Sequence, residues 1–128
     1  MEADVAGLQR KLLRTTVRPL NSAYGDKGIP VRGNRTLPFS VTREWSAPAG
    51  RYLERWFLVD PATRTVVFEG PIRDEVLIWG LQALSSLTDR LMNSFTLEPG
   101  PYLLVFALGG HKGAEVEVEA VRVDGEPA

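Results

Sequence analysis

The pattern of apolar and polar residues is clearest near the end of the chain, where two segments of different character lie close together. Residues 101–108 are apolar at both odd and even positions, which is typical of a central β-strand covered on both faces. Residues 114–123 alternate valine with glutamate, and the alternation changes phase near Glu119 and Ala120. The pattern therefore predicts a β-hairpin of residues 101–108 with 114–123, and a β-bulge near Glu119 and Ala120.

The middle of the chain also has the period-two alternation of strands. Residues 36–45 alternate, and residues 52–59 and 65–69 flank the turn signal Asp60-Pro61. These segments predict one strand followed by a hairpin. Residues 19–37 are rich in Gly, Pro and Asn, so they are interpreted as a long loop with one short strand near residues 29–31.

Residues 73–91 fit two interpretations. As a helix, the segment has Pro71 near its first turn and several leucines on one face. As strands, residues 76–81 and 88–97 are separated by the polar Ser85-Ser86 pair, and Gly80 disfavours a helix interior. We favour strands, with a helix at 73–91 as the alternative.

The N-terminal residues have helical spacing instead. Val5, Leu8, Leu12 and Leu13 have the spacing of one face of a helix over residues 3–14, with acidic residues at its start and basic residues at its end. A helix of about three turns is marginal in water, so this one would have to dock on something. Alternation begins at Leu13 and indicates the start of a first strand there.

Together these elements predict an all-β protein. A strand that ends at Leu97, a Pro99-Gly100 turn and an aromatic residue, Tyr102, opening the next strand resemble the penultimate hairpin of many immunoglobulin-like and jelly-roll sandwiches. The resemblance implies a fold and no activity. We expect one domain over residues 1–128: an N-terminal helix or arm at 1–18, a single β-sandwich at 19–123 and a tail at 124–128. An α+β fold with the helix at 73–91 is the alternative.

Composition narrows the chemistry. The 128 residues include no cysteine, which excludes disulfides, thiol catalysis and thiolate metal sites. No apolar run is long enough to span a bilayer and the first residues do not form a secretory signal, so we expect a cytoplasmic protein, free or within a larger particle. The net charge of −1 gives no reason to expect nucleic-acid binding.

Charge is unevenly divided between the two halves. Residues 1–64 carry 11 of the 15 Lys and Arg and 6 of the 16 Asp and Glu, a balance of +5. Residues 65–128 carry the remaining 4 basic and 10 acidic residues, a balance of −6. The halves either pair within one fold or present a bipolar surface suited to self-association or to a charged partner.

No group of residues forms a recognisable catalytic, cofactor or metal site. His111 is the single histidine and lies in the loop of the last hairpin, where one His cannot make a standard zinc site. Three glutamates on one strand face and three tryptophans are the candidate partner contacts: Glu115, Glu117, Glu119, Trp45, Trp56 and Trp79. The default interpretation is a solvated sheet face for the glutamates and core packing for the tryptophans.

The sequence therefore predicts a non-enzymatic protein-interaction or assembly module, for example a subunit of a homo-oligomer or larger particle. Its expected partners are proteins, through self-association or a larger assembly, with no nucleic acid, no membrane and no cofactor. The alternative is a carbohydrate-binding sandwich, which requires at least two exposed and roughly coplanar Trp or Tyr rings. The third candidate is a small enzyme, which requires His111 in a pocket beside a carboxylate.

Overall fold

The computed structural model describes residues 11–47, 50–78 and 83–123, and within these it is almost entirely β-structure. One turn of 3₁₀-helix spans Ser22–Tyr24. The strands are, in chain order, β1 (Lys11–Pro19), β2 (Ile29–Arg32), β3 (Arg35–Thr36), β4 (Phe39–Ala47), β5 (Gly50–Asp60), β6 (Thr65–Glu69), β7 (Arg73–Ile78), β8 (Ala83–Leu91), β9 (Gly100–Leu108) and β10 (His111–Arg122). The all-β expectation is confirmed.

The strands form two sheets. The smaller sheet has the order β1-β4-β8, and the larger has the order β3-β2-β10-β9-β5-β6. Strand β5 is long enough for β6 and β7 to pair with opposite ends of the same edge. Strand β2 runs parallel to β10 and pairs only with its residues Ala120, Val121 and Arg122.

The core lies between the two sheets. Alternate residues of β4 point inward from the smaller sheet, and alternate residues of β5 and β9 point inward from the larger one. The Trp45 and Phe106 rings meet edge to face with centroids 6.5 Å apart, and Trp56 lies 6.4 Å from the same Phe106 ring. Fully burying each side chain of this size contributes about 1.5–3 kcal/mol, so these contacts hold the sheets together.

The predicted C-terminal hairpin is confirmed, but the predicted bulge position is wrong. Strands β9 and β10 pair in unbroken register from Phe106–Ala114 to Gly100–Ala120, and the register shifts between Lys112 and Ala114 instead. Gly113 lies at this shift, where an added Cβ would stand 2.5 Å from the Trp45 ring. The bulge is therefore located where the chain must pass over a buried indole.

The second predicted hairpin is confirmed as β5 and β6, and the short strand near residues 29–31 is confirmed as β2. At the β5–β6 turn, the Asp60 carboxylate accepts a hydrogen bond of 2.9 Å from the Ala62 amide. This is the local bond that makes Asp-Pro a favoured turn opening.

Residues 73–78 and 83–91 form the strands β7 and β8, so the alternative of one helix at 73–91 is wrong. The predicted strand limits are also wrong, because Ser85-Ser86 lies inside β8 rather than between two strands. Strand β8 is the edge of the smaller sheet, where Ser85 and Ser86 pair with Trp45 and Glu44 of β4. Ser86 is exposed, because it lies on the outward face of this sheet together with Glu44.

The predicted N-terminal helix or arm does not extend into the described residues. Residues 11–18 belong to β1, which pairs with β4 from Lys11–Ser46 to Pro19–Phe39. Docking on β4 overrides the helical spacing, as tertiary contacts commonly override a weak local preference. Residues 1–10, and with them most of the predicted helix, lie outside the described residues.

Candidate interaction surfaces

A cluster of charged side chains lies between the two sheets. Arg43 of β4 and Glu54 of β5 are both fully buried and bind each other through two bonds, from Nε to Oε2 at 2.8 Å and from Nη2 to Oε1. The indole Nε1 of Trp45 donates to the same Glu54 Oε2 at 2.7 Å. Because the partners come from different sheets, the cluster fixes how one sheet sits on the other.

The cluster continues through Asp89 of β8. Its Oδ2 lies 3.0 Å from Arg43 Nη1 and accepts a bond of 2.9 Å from Trp56 Nε1. Its Oδ1 accepts bonds of 3.2 Å and 2.8 Å from Nε and Nη2 of Arg73, which lies on β7. Two cations thus balance two anions, and each carboxylate oxygen has a donor.

This balance decides what the cluster can do chemically. A buried charge is tolerated when it is paired and hydrogen-bonded, and here both carboxylates are fully engaged. They have no remaining capacity to take a proton from a substrate or to hold a metal ion. The described residues also contain no group of three or more His, Asp or Glu placed to hold a metal. The cluster is structural.

The tryptophans proposed as partner contacts have other positions. Trp45 and Trp56 are 0% and 1% exposed and belong to the core, so neither can meet a partner on the surface. A carbohydrate platform would therefore have to use other Trp or Tyr rings. Trp79 lies outside the described residues, and His111 begins β10 with a side chain that is outside them too.

The outer face of the larger sheet carries an apolar strip. Six apolar residues of β5 and β9 point away from the core, and we call them the outer strip: Leu53, Phe57, Val59, Leu103, Val105 and Ala107. One cation lies among them, because Arg55 is between Leu53 and Phe57, with its guanidinium 4.9 Å from the Phe57 ring and 3.4 Å from Glu69 Oε1. Phe57 pairs with Val105 and Val59 with Leu103, so the strip is continuous across the two strands. The smaller sheet packs against the opposite face, and Leu53 at one end of the strip is 42% exposed, while Val59 at the other end is 8% exposed.

The predicted acidic stripe borders this strip. Glu115, Glu117 and Glu119 lie on β10 opposite Val105, Leu103 and Pro101. Glu115 is hydrogen-bonded by Lys112 and lies 3.6 Å from the Arg64 guanidinium, and the Lys112 ammonium is the main cause that lowers its pKa. Glu117 and Glu119 have no basic partner among the described residues, so this border is negative.

A concavity of about 780 Å³ continues from the strip around the edge of the sheet. It opens between β1 and β10. Its lining includes Leu103 of the outer strip and Glu117 and Glu119 of the acidic border. Lys27 is the remaining charged group in its lining. The two features form one surface of apolar and acidic character.

Sequence reasoning missed the buried cluster, although a signal was present. Arg43 is in the same alternation phase as the apolar residues Phe39 and Val41, and Glu54 is in phase with Trp56 and Leu58. A charge in the buried phase of one strand predicts an opposite charge in the buried phase of another, because an unpaired buried charge is very costly.

No family model matches the chain, and no curated protein matches it. A solved structure of the alkylpurine DNA glycosylase AlkC of Pseudomonas fluorescens, bound to DNA with an abasic-site analogue, is similar at 16% identity and a TM-score of 0.50. That match covers 88% of this chain and 30% of the glycosylase. A β-glucosidase of Listeria innocua in complex with isofagomine matches at 14% identity and a TM-score of 0.45, over 90% of this chain and 17% of that one.

These comparisons correct the expected partners. The exclusion of nucleic acid is wrong, because it rested on net charge alone, and the fold occurs in a protein solved on DNA. The likeness shows the fold and not a shared activity. The self-association predicted together with that exclusion gains no support from the comparisons. Within the described residues, one short 3₁₀ turn is the helical content, so no helix there can cross a membrane.

Proposed function

We propose that this chain is an immunoglobulin-like β-sandwich that serves as a non-enzymatic interaction domain, binding a partner protein through the outer strip. The observation that carries the proposal is that the outward residues of β5 and β9 are apolar apart from Arg51 and Arg55, while the smaller sheet packs against the opposite face. Such a face is uncommon on a monomer unless it meets something.

Three features support an immunoglobulin-like sandwich. The orders β1-β4-β8 and β10-β9-β5-β6 correspond to the A-B-E and G-F-C-C′ strands of that fold. Trp56 is the buried tryptophan on the strand that corresponds to C. Tyr102, near the start of β9, donates its hydroxyl to the Glu98 carbonyl at 2.8 Å, which is the arrangement of a tyrosine corner.

The borders of the outer strip define the chemistry of the partner. The strip would bury apolar groups, and the unpaired carboxylates of Glu117 and Glu119 would face the rim of the contact. Complementary charge at a rim steers association and sets partner choice. The partner surface is therefore apolar at its centre and basic along one side.

The neighbouring solved structure agrees with a role beside a larger protein. The glycosylase carries this fold in 30% of its chain, so the fold can be one part of a multidomain protein. An interaction domain with an uncovered sheet face is suited to that position. Its partner would be a second domain or a second protein of the stated chemistry.

A synthetic peptide that alternates lysine with leucine or valine models such a partner surface. Titrated into labelled protein and followed by NMR, it should shift the amides of the outer strip and leave those of β1 and β4 in place. A peptide with serine in place of the apolar residues is the ligand control, because it keeps the charge.

Val105→Lys tests the site itself. It replaces the centre of the strip with a cation that can pair with Glu115 on β10, so the fold should survive while the peptide shifts are lost. Leu13→Lys is the matched control, since Leu13 is an exposed apolar residue of β1 in the other sheet. Equal effects of both variants, or equal shifts by both peptides, would contradict the proposal. Shifts of the strip by a glucan oligosaccharide would favour the carbohydrate alternative instead.

A further inference from the structure

The outer face of the smaller sheet has a different character from that of the larger one. Strand register places its outward residues in rows that run across the sheet. One row is Arg18, Ser40 and Arg90, and the next is Thr16, Thr42 and Thr88. The Thr42 and Thr88 hydroxyls are 3.0 Å apart, so the second row is already joined by a hydrogen bond.

A groove lies over these rows. Its volume is about 500 Å³, and the segment from Pro19 to Asp26 forms one wall. The floor contains both arginines of the first row and the hydroxyls of Ser40, Thr42 and Thr88. The groove is thus lined mainly by hydrogen-bond donors carried on three hydrogen-bonded strands.

The two arginines of the row are free to bind. Both are exposed, and neither forms an ion pair or hydrogen bond with any residue that the structure describes. The buried Arg43 and the surface Arg55, Arg64 and Arg73 all face a carboxylate. Arg14 also lies on this face, but it pairs in register with Glu44. Asp26 is the one acidic residue in the groove lining.

We propose that this groove binds the sugar–phosphate backbone of a nucleic acid. Arginine guanidiniums and Ser or Thr hydroxyls are the side chains that most often contact phosphate oxygens. Arg18 and Arg90 lie on the strands that flank β4, so their backbones are about 10 Å apart, at two strand spacings of about 4.8 Å. That separation suits a ligand with repeated charges better than a single phosphate ion.

The lining also predicts the mode of recognition. Among the residues that line the groove there is no aromatic side chain on which a base could stack. Contacts would therefore go to the backbone, and binding would be independent of base sequence and strongly dependent on salt. Each neutralised phosphate contributes about −0.9 to the slope of log affinity against log salt concentration for duplex DNA.

The test is fluorescence anisotropy with a labelled DNA duplex of mixed sequence over a series of salt concentrations. Two phosphate contacts predict a slope of about −1.8 for the unaltered protein. Arg18→Gln and Arg90→Gln should each lower affinity about tenfold at low salt. Each should also bring the slope to about −0.9. Asp26→Asn should strengthen binding, because it removes the carboxylate from the groove.

Arg122→Gln is the matched control, because Arg122 is also exposed but lies on β10 in the other sheet. It should leave both affinity and slope unchanged. The proposal is overturned if all three arginine variants change the slope equally, or if no duplex binding is found at low salt. It is also overturned if inorganic phosphate displaces DNA at a concentration similar to that of DNA phosphate, or if heparin binds where DNA does not.

Discussion

Arg43 and Arg90 lie on neighbouring strands of the smaller sheet but on opposite faces, and their surroundings differ completely. Arg43 points into the core, where Glu54, Asp89 and the Val41 carbonyl take up its donors. Arg90 points outward, with no partner among the described residues. The buried side chain has its charge fully committed to the fold. The exposed one retains its charge for a ligand, so the face of a strand decides whether an arginine serves stability or binding.

Arg43→Gln, which removes the buried arginine of this pair of residues, should destabilise the fold more than any other change considered. It leaves Glu54 fully buried without its cation, and breaking one partner of a buried pair costs about 3–5 kcal/mol. The free energy of unfolding, measured by urea denaturation, should fall by that amount. Replacing both partners, as in Arg43→Met with Glu54→Leu, should restore much of the loss. A single variant that loses less than about 1 kcal/mol would show that the pair is not needed.

Asp89→Asn should have a smaller effect, because this part of the cluster approaches the surface and the Arg73 side chain is 36% exposed. Asparagine can still accept one hydrogen bond, from Trp56 or from Arg73. We expect a loss of about 1–3 kcal/mol in the free energy of unfolding. A loss as large as that of Arg43→Gln would show that the Asp89–Arg73 part of the cluster is as well shielded from water as the Arg43–Glu54 part.

Tyr102 is intermediate between the two arginines, being half-buried and bonded to a single backbone carbonyl. Tyr102→Phe should lower the free energy of unfolding by about 1 kcal/mol at neutral pH. Burial is the main cause that raises the pKa of Tyr102 above 10.0, with the charges of Asp60 and Glu98 adding to it.

The folded protein therefore holds the phenolic proton more tightly than the unfolded chain does. The stability that the folded protein gains from keeping Tyr102 protonated is fully present below about pH 10. It is lost as pH rises through the folded-state pKa of Tyr102. Denaturation curves at increasing pH should show that added loss in the unaltered protein. Tyr102→Phe should lack it, and parallel curves for the two proteins would contradict the assignment.

The exposed arginines should have the smallest effect on stability. Arg18→Gln and Arg90→Gln remove no contact within the described residues, so each should stay within about 0.5 kcal/mol of the unaltered protein in the same urea experiment. A larger loss would show that the row of Arg18, Ser40 and Arg90 supports the fold. The exposed arginines would then not differ from Arg43 in their role.

The local sequence pattern was sufficient to predict the two hairpins. Strands β9 and β10 were predictable because a run that is apolar on both faces, residues 101–108, and an alternating segment, residues 114–123, flank a glycine turn. Strands β5 and β6 were predictable because Asp60-Pro61 marks their turn. Strand β1 was predictable from Leu13 onward, where alternation begins, but not at its first two residues, where pairing with β4 overrides a helical pattern. The bulge at Gly113 was missed because the Trp45 ring that causes it is distant in sequence.

The candidate surfaces depend on register, which a single sequence does not contain. The row of Arg18, Ser40 and Arg90 comes from three strands that are far apart along the chain. The outer strip was partly visible, because residues 103, 105 and 107 form an apolar face opposite the buried one. What sequence could not tell is that this face would stay outside the core.

The short pairing of β2 with β10 has a consequence for solubility. Because β2 reaches only Ala120, Val121 and Arg122, residues 112–119 present an edge that no other described strand occupies. An open edge is a template on which unrelated chains can add strands and aggregate. Glu115, Glu117 and Glu119 lie along it, and the repulsion between like charges there guards against such growth. The acidic stripe thus also protects the folded protein against amyloid-like stacking.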